Sequence, residues 1–195
     1  MAQLVALLGF AFVSSFTPGP NNILLWASGA TFGFRRTVPH VAGTALGLGA
    51  MALVAGAGIA ALVASVPALG VAMRVAGSIY LLWLAWQILG SGSLTAATVT
   101  RPMGLRGAVG FQLLNPKAWI FALGAVTTFR PAELPVLPGT ILVAVAMMAM
   151  IVPTAAAWAA AGGAMSRWLS GERTRRVVTI VLAAMVAGTV LLVWI

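Results

Sequence analysis

Two proline-centred interruptions of apolar sequence hold the residues best suited to chemistry in this chain. The first is Thr-Pro-Gly-Pro-Asn-Asn at 17–22, and the second is Asn-Pro-Lys at 115–117. Proline lacks a backbone N–H and is tolerated best at the first position of a helix. Each segment therefore predicts a helix that stops and restarts, which leaves backbone N–H and carbonyl groups free to bind a solute.

Lys117 brings a charge into the second interruption. It lies about 15 Å from either end of its apolar stretch at 1.5 Å per residue. A charge at that depth costs at least roughly 2.5–3.5 kcal/mol, and the apolar stretches contain no Asp or Glu to pair with it. Its predicted partners are solvent in a cavity, backbone carbonyls or a bound anionic group. The alternative is that Lys117 lies near the membrane surface at a re-entrant turn.

Both interruptions carry helix-start signals. Asn115 before Pro116 fits an N-cap followed by proline at the first helical position. Thr17 and Gly19, each followed by proline, are two candidates for the same arrangement. A helix that begins inside the membrane directs free N–H groups and its positive dipole end inward, which favours a carboxylate. An amino acid brings one, and carbonyls freed at the break can meet its ammonium.

Several neighbouring polar residues are open to two interpretations. Asn21 and Asn22 either bind substrate or satisfy carbonyls left free by the prolines, and Gln112 is equally ambiguous. His40 is expected to be a satisfied group at the mouth of a span rather than a proton relay.

Two aromatic residues complete the candidate site. Trp119, two residues from Lys117, is a candidate wall of a pocket, and Tyr80 either reaches the cavity or has a role in the aromatic belt or in packing. The predicted substrate-binding residues are Pro18, Gly19, Pro20, Asn21, Asn22, Asn115, Pro116, Lys117, Trp119 and Tyr80.

Composition places all of this in a membrane. Of the 195 residues, 62% are hydrophobic and 7% charged, against about 25% charged in soluble domains. The net charge of +9 is scattered between apolar stretches, which does not suit nucleic-acid binding. With no cysteine, one histidine and no aspartate, we predict neither a metal site, a cofactor nor a catalytic residue. The first apolar stretch is expected to be a retained span rather than a cleaved signal.

Hydropathy predicts an all-α membrane protein of six transmembrane helices in one domain, residues 1–195. Residues 4–34 contain no charged side chain, and as one helix they would exceed the roughly 30 Å of the hydrocarbon core. We expect helix 1 to be broken near Pro18 and helix 4 at Asn115. Gly43 and Gly47 share a face of helix 2 that permits close helix approach, and Pro153 predicts a kink. The predicted spans are 4–32, 41–65, 71–89, 107–129, 137–161 and 177–195.

An internal repeat relates the two halves of the chain. A shift of 96 residues places Pro20 on Pro116 and Gly43 on Gly139. Because each half, 1–96 and 97–195, holds three spans, the second must insert upside down, as in transporters with inverted repeats. Chance matching of apolar segments is the alternative.

Arginine distribution predicts the orientation. Loops after spans one, three and five hold eight arginines against two in the other loops. Cytoplasmic loops carry the excess of basic residues, so both termini are expected on the non-cytoplasmic side. The first group is Arg35, Arg36, Arg101, Arg106, Arg167, Arg173, Arg175 and Arg176; the second is Arg74 and Arg130.

The motifs resemble the lysine exporter (LysE) superfamily, and within it the homoserine/threonine-resistance (RhtB) branch, nearest to cysteine/O-acetylserine exporters. The resemblance rests on the segments at 17–22, 33–36, 43–47, 76–81 and 110–117 and covers nearly the whole chain in order. It implies a multi-pass exporter of amino acids or close metabolites in the bacterial inner membrane. Many members carry an acidic residue just after the glycine matching Gly47, where this chain has Leu48.

These observations predict a secondary transporter for small neutral amino acids, not an enzyme. Without a carboxylate in the spans, proton antiport lacks an evident carrier, and a cationic substrate lacks a counter-charge. The expected partners are a small zwitterionic amino acid and the lipid bilayer, not nucleic acid; a homo-oligomer is left open. The alternative is a membrane scaffold or assembly factor, with the breaks packed shut and Lys117 held by carbonyls.

Overall fold

The computed structural model describes residues 1–59, 65–90, 101–165 and 171–194. Within those ranges the secondary structure is helical, as predicted, and a π-helical turn, Ala55–Ile59, extends the third helix. The α-helices in chain order are α1 Ala2–Phe16, α2 Pro20–Phe32, α3 Phe34–Val54, α4 Pro67–Gly90, α5 Leu105–Leu114, α6 Pro116–Phe129, α7 Val136–Met165 and α8 Glu172–Trp194.

The first predicted break is confirmed. α1 ends at Phe16, α2 begins at Pro20, and the two helices are bent by 60° relative to one another. Gly19 is the N-cap residue and Pro20 occupies the first helical position. Of the two candidate helix starts, the structure therefore has the one at Gly19, and the one at Thr17 is wrong.

The second predicted break is confirmed as well. α5 ends at Leu114, and α6 restarts at Pro116 after the single residue Asn115. The side-chain Oδ1 of Asn115 accepts the backbone N–H of Lys117 at 3.2 Å, which satisfies one of the free N–H groups at the helix start. Asn–Pro was therefore a reliable local signal for this helix start.

The loop expected between the predicted spans 4–32 and 41–65, which would hold Arg35 and Arg36, is wrong, because α3 already begins at Phe34. Gly33 makes the whole connection between α2 and α3. Its N–H still donates to the carbonyl of Gly29 at 3.0 Å, while its φ of 81° redirects the chain. A left-handed φ is readily available to glycine, so one residue suffices where a longer turn was expected.

α7 packs against α1, α2 and α3 and lies at the centre of the bundle. Its crossing with α2 depends on one glycine from each helix. A Cβ atom at Gly29 would lie 2.8 Å from the carbonyl carbon of Ala159, and one at Gly162 would lie 2.7 Å from that of Trp26. The backbones therefore approach as closely as small residues permit.

The predicted glycine face of α3 contacts α5. A Cβ atom at Gly43 would lie 2.7 Å from the Cβ of Ala108, and one at Gly47 would lie 3.0 Å from the Cβ of Gln112. This confirms the close helix approach that the four-residue spacing predicted. It also brings Gln112, at the end of α5, towards the centre of the bundle.

Apolar residues from α1, α3, α6 and α7 form the largest buried cluster, and a second joins α2, α4 and α8. Large apolar side chains such as Leu137, Trp86 and Leu191 are exposed on the outside, as expected for contact with lipid. The predicted kink residue Pro153 lies inside α7, which continues as one helix to Met165.

Among the described residues, two helices are long and apolar enough to cross a membrane. They are Phe34–Gly58 and Val136–Met165, and the bent pair of α1 and α2 makes a third if it counts as one span. The six-span inverted repeat stays a prediction. The two breaks nevertheless match across the 96-residue shift, because Pro20 and Pro116 both stand at the first position of a helix.

Candidate functional site

Lys117 joins the two helix breaks. Its Nζ donates hydrogen bonds to the backbone carbonyl oxygen of Thr17 and, at 3.3 Å, to that of Pro18. Both carbonyls belong to the segment between α1 and α2, where no helix supplies an N–H for them. Of the partners predicted for the ammonium, the structure has the backbone carbonyls, and they come from the opposite break.

Asn22 binds two carbonyls of the first break. Its Nδ2 donates to the oxygen of Ser15 at 2.8 Å and to that of Thr17 at 3.0 Å. These are carbonyls that the end of α1 leaves without a helical partner. Thr17 therefore accepts hydrogen bonds from both Asn22 and Lys117, so the break is held from both sides.

Asn21 connects the first break to α3. Its Oδ1 lies 3.3 Å from Nε2 of His40 and accepts a hydrogen bond from Oγ1 of Thr44 at 3.2 Å. His40 is fully buried, so the expectation of an interfacial group on the protein surface is wrong. The reason is tertiary: α3 begins earlier than the charge pattern indicates, and the ring turns inward against α2.

A small cavity lies between the two breaks. The volume open to the centres of water molecules is about 30 Å³, enough for about two waters. Helix starts of α2 and α6, the Lys117 side chain and apolar residues of α3, α6 and α7 surround it. The lining residues are Ser14, Ser15, Gly19, Pro20, Asn21, Asn22, Leu48, Gln112, Asn115, Lys117, Ala118, Phe121 and Ile151.

Comparison with known proteins assigns the chain to a family. A family model described as LysE type translocator matches residues 12–193. The chain belongs to the LysE type translocator family. No solved structure matches the chain.

Among its relatives in sequence are proteins named cysteine/O-acetylserine efflux protein. That of Klebsiella pneumoniae is 33% identical over 124 residues, which cover 64% of this chain and 63% of the relative. Those of Salmonella paratyphi A and Escherichia coli O1:K1 are each 34% identical over 127 residues, 65% of either chain. The matched region thus spans just under two thirds of these relatives. Family and apolar helices together make this LysE type translocator a multi-pass membrane protein.

The structure brings most of the predicted site residues of the translocator to one place. Gly19, Pro20, Asn21, Asn22, Asn115 and Lys117 line the cavity.

The other four predicted residues are not among those that line the cavity in the described structure. Pro18 contacts Lys117 through its carbonyl, and Pro116 packs against Gly77 of α4. Trp119 donates its indole N–H to the carbonyl of Leu113 at 2.9 Å and does not line the cavity. Tyr80 lies in α4, and its side chain is outside the described part of the structure.

Other lining residues were not among the predictions. Ser14 and Ser15 stand at the end of α1, and the Oγ of Ser15 accepts a hydrogen bond from Oγ1 of Thr154 at 3.0 Å. Small hydroxyl residues are frequent in membrane helices, so the sequence carried no signal that distinguished these. Gln112, left ambiguous by the sequence, is buried and accepts from Nδ2 of Asn115 at 3.2 Å.

Leu48 stands where many members of the resembled family are expected to carry an acidic residue. This leucine is fully buried and lines the cavity. The position at which many such proteins are expected to carry an acid therefore faces the same space as Lys117. Here that wall is apolar, and none of the residues lining the cavity is an Asp or Glu.

Proposed function

We propose that this translocator is a secondary exporter of small neutral amino acids, or related metabolites, across the bacterial inner membrane. Its family and the efflux relatives at 33–34% identity support an amino acid as cargo. The same proposal places the substrate at the cavity between the two breaks.

The observation that carries the proposal is the convergence of opposite polarities at one cavity. The N-terminal ends of α2 and α6, which are the positive ends of their helix dipoles, line it, and Lys117 adds a positive charge. The break before α2 supplies the carbonyl oxygens of Thr17 and Pro18, which accept hydrogen bonds from the Lys117 ammonium. The helix N-termini and Lys117 favour a carboxylate, and the carbonyl oxygens favour an ammonium.

The charge of the cavity supports a neutral substrate. Its walls contain one cation, Lys117, and no carboxylate, so a lysine or arginine side chain would meet no counter-charge there. A zwitterion adds no net charge to the site. Its export also avoids the roughly 2.3 kcal/mol per 100 mV needed to move a cation out against a negative interior.

The scaffold alternative shares one observation with the exporter, since it too expects Lys117 against carbonyls. It does not account for the gathering of Ser14, Asn21, Gln112 and Asn115 around the cavity between the two breaks. Asn21, Gln112 and Asn115 form hydrogen bonds with neighbouring side chains, and they also line open space that a polar solute can enter. Membership in a translocator family also favours transport.

Export from preloaded proteoliposomes tests the proposal. We expect the wild type to release L-cysteine, O-acetyl-L-serine or another small neutral amino acid, and to release L-lysine and L-arginine no faster than empty liposomes. Lys117→Ala should lower the release rate by roughly tenfold or more, because a charge-assisted hydrogen bond is lost. Lys117→Arg keeps the cation and should retain more activity than Lys117→Ala.

Gly9→Ala is the matched control, because a Cβ atom at Gly9 meets nothing within 4 Å, and it should export at the wild-type rate. Release of none of the tested solutes by folded wild-type protein, together with co-purification of a partner protein, would favour the scaffold instead.

A further inference from the structure

The carbonyls of the first break already hold an ammonium group. Lys117 Nζ contacts the oxygens of Thr17 and Pro18, and its side chain lies across Gly19. A Cβ atom at Gly19 would lie 2.9 Å from Cδ and 3.1 Å from Nζ of Lys117. The lysine therefore fills the space beside these carbonyls with a primary ammonium, the group that an amino acid also carries.

We propose that the Thr17 and Pro18 carbonyls are the subsite for the substrate's ammonium, and that Lys117 occupies this subsite until the substrate displaces it. The inference rests on the proposed function, and it adds which groups of the site bind the ammonium and the carboxylate of the substrate. In the loaded state, Lys117 leaves the carbonyls and pairs with the substrate carboxylate.

The available volume favours this exchange. About 30 Å³ of the cavity is open to water, which is too little for an amino acid. Leu48, Phe121 and Ile151 are held in the buried core, whereas lysine has a flexible four-carbon stem. Lys117 is therefore the lining group that moves most readily.

The exchange also keeps every buried charge paired. With the cavity closed, the lysine ammonium binds the carbonyls. With an amino acid bound, the substrate ammonium binds the carbonyls and its carboxylate binds the lysine. A ligand with only one of these groups leaves a buried charge or a set of carbonyls without a partner, which is costly. The carbonyls and Lys117 together thus select compounds that carry an ammonium and a carboxylate close together.

Binding of three matched ligands to purified protein in lipid nanodiscs tests the inference. The ligands are L-cysteine, cysteamine, which lacks the carboxylate, and 3-mercaptopropionate, which lacks the ammonium. The chain has no cysteine, so thiol ligands form no mixed disulfides with it. We expect the wild type to bind L-cysteine and to bind the two truncated ligands much more weakly.

Lys117→Met supplies the decisive comparison, because methionine is unbranched and uncharged and leaves the carbonyls open. We expect it to bind cysteamine about tenfold more tightly than the wild type does, in line with one hydrogen bond to a charged group, and to bind L-cysteine more weakly. Lys117→Arg keeps a cation on the carbonyls and should bind cysteamine no better than the wild type. A merely structural lysine predicts loss of binding and never this gain.

Cysteamine binding by Lys117→Met at or below the wild-type level overturns the inference. If that variant does not fold, Gly19→Ala replaces it, because the added methyl group pushes the lysine side chain off the carbonyls, and the same gain is expected. The two proposals fail separately: export without the gain removes the subsite, while the gain without export by the wild type removes the proposed function.

Discussion

At the scale of single residues, the two breaks satisfy each other. Carbonyls left free at the end of α1 accept from Asn22 and from Lys117, which belongs to the other break. In lipid an unpaired backbone group cannot turn to water, so non-helical backbone persists only where protein or a polar cavity receives it. Lys117 is thus both a charge that needs partners and the partner that the first break needs.

The N-cap of α6 leads to a prediction at this scale. Asn115→Ala removes the acceptor for the Lys117 N–H and leaves the Gln112 amide without its contact. We expect a loss of about 1–2 kcal/mol in stability, since cap removal typically costs this much. Thermal unfolding in detergent, followed by the folded fraction on size-exclusion chromatography, measures the loss.

Asn115→Asp is the matched comparison. It keeps a capping oxygen and adds a negative charge near a helix N-terminus and near Lys117, both of which favour it. We expect its midpoint to lie above that of Asn115→Ala. Equal midpoints for the two variants would show that the cap contributes nothing measurable.

At the scale of elements, the crossing of α2 and α7 holds the first break against α7. Gly29 and Gly162 lie against each other's helix backbone, and this close approach also brings Ser15 of α1 within hydrogen-bond distance of Thr154 of α7. The end of α1 and the start of α2, which flank the first break, are thus both packed against α7.

Gly29→Ala and Gly162→Ala test this crossing. The added methyl group meets backbone carbonyls of Ala159 or Trp26, which cannot turn aside as a side chain would. We expect each substitution to destabilise the protein by about 3 kcal/mol, the upper part of the range for overpacking. Export should fall as well, because the helices carrying the break must separate.

Gly9→Ala is the control for both glycines, because its methyl group meets open space. Alanine has the higher helix propensity by about 1 kcal/mol, so the midpoint of thermal unfolding should stay the same or rise. A fall as large as that of Gly29→Ala would mean that the effect comes from the substitution type and not from the crossing.

At the scale of the whole molecule, the inverted repeat and the orientation remain predictions. Three observations bear on them: matching prolines at two helix starts, arginine-rich loops after alternate predicted spans, and apolar helices of spanning length. Successive loops alternate between the two sides of the membrane, so the two loop classes are expected on opposite sides, and the odd number of spans in each half would invert the second half.

Single cysteines in this cysteine-free chain test the orientation. Glu133 and Thr174 are exposed, and they lie in or next to loops predicted on opposite sides. We expect Glu133→Cys to react with a membrane-impermeant thiol reagent in intact cells, and Thr174→Cys to react only after permeabilisation. The reverse pattern would invert the predicted orientation, and labelling of both in intact cells would remove the six-span topology.

Local chemistry explains which parts were predictable. Proline and its neighbours predict both the helix start after Asn115 and the interruption at 17–19. The reason is local, because a proline without an N–H cannot make the helical hydrogen bond wherever it lies in the fold. The glycine face of Gly43 and Gly47 follows from spacing alone. Family membership, too, was foreseen from the short motifs around these same residues, and the match over residues 12–193 confirms it.

Other features depend on packing between distant parts of the chain. His40 was misplaced because its burial depends on Asn21, nineteen residues earlier, and the Ser15 contact depends on Thr154. The partner of Lys117 was predicted by type, as a carbonyl, yet its identity is a matter of tertiary geometry. Sequence determined where the helices break and which polar groups that frees; only the tertiary structure decided which freed groups meet, because a buried polar atom bonds to whatever the fold brings within about 3 Å.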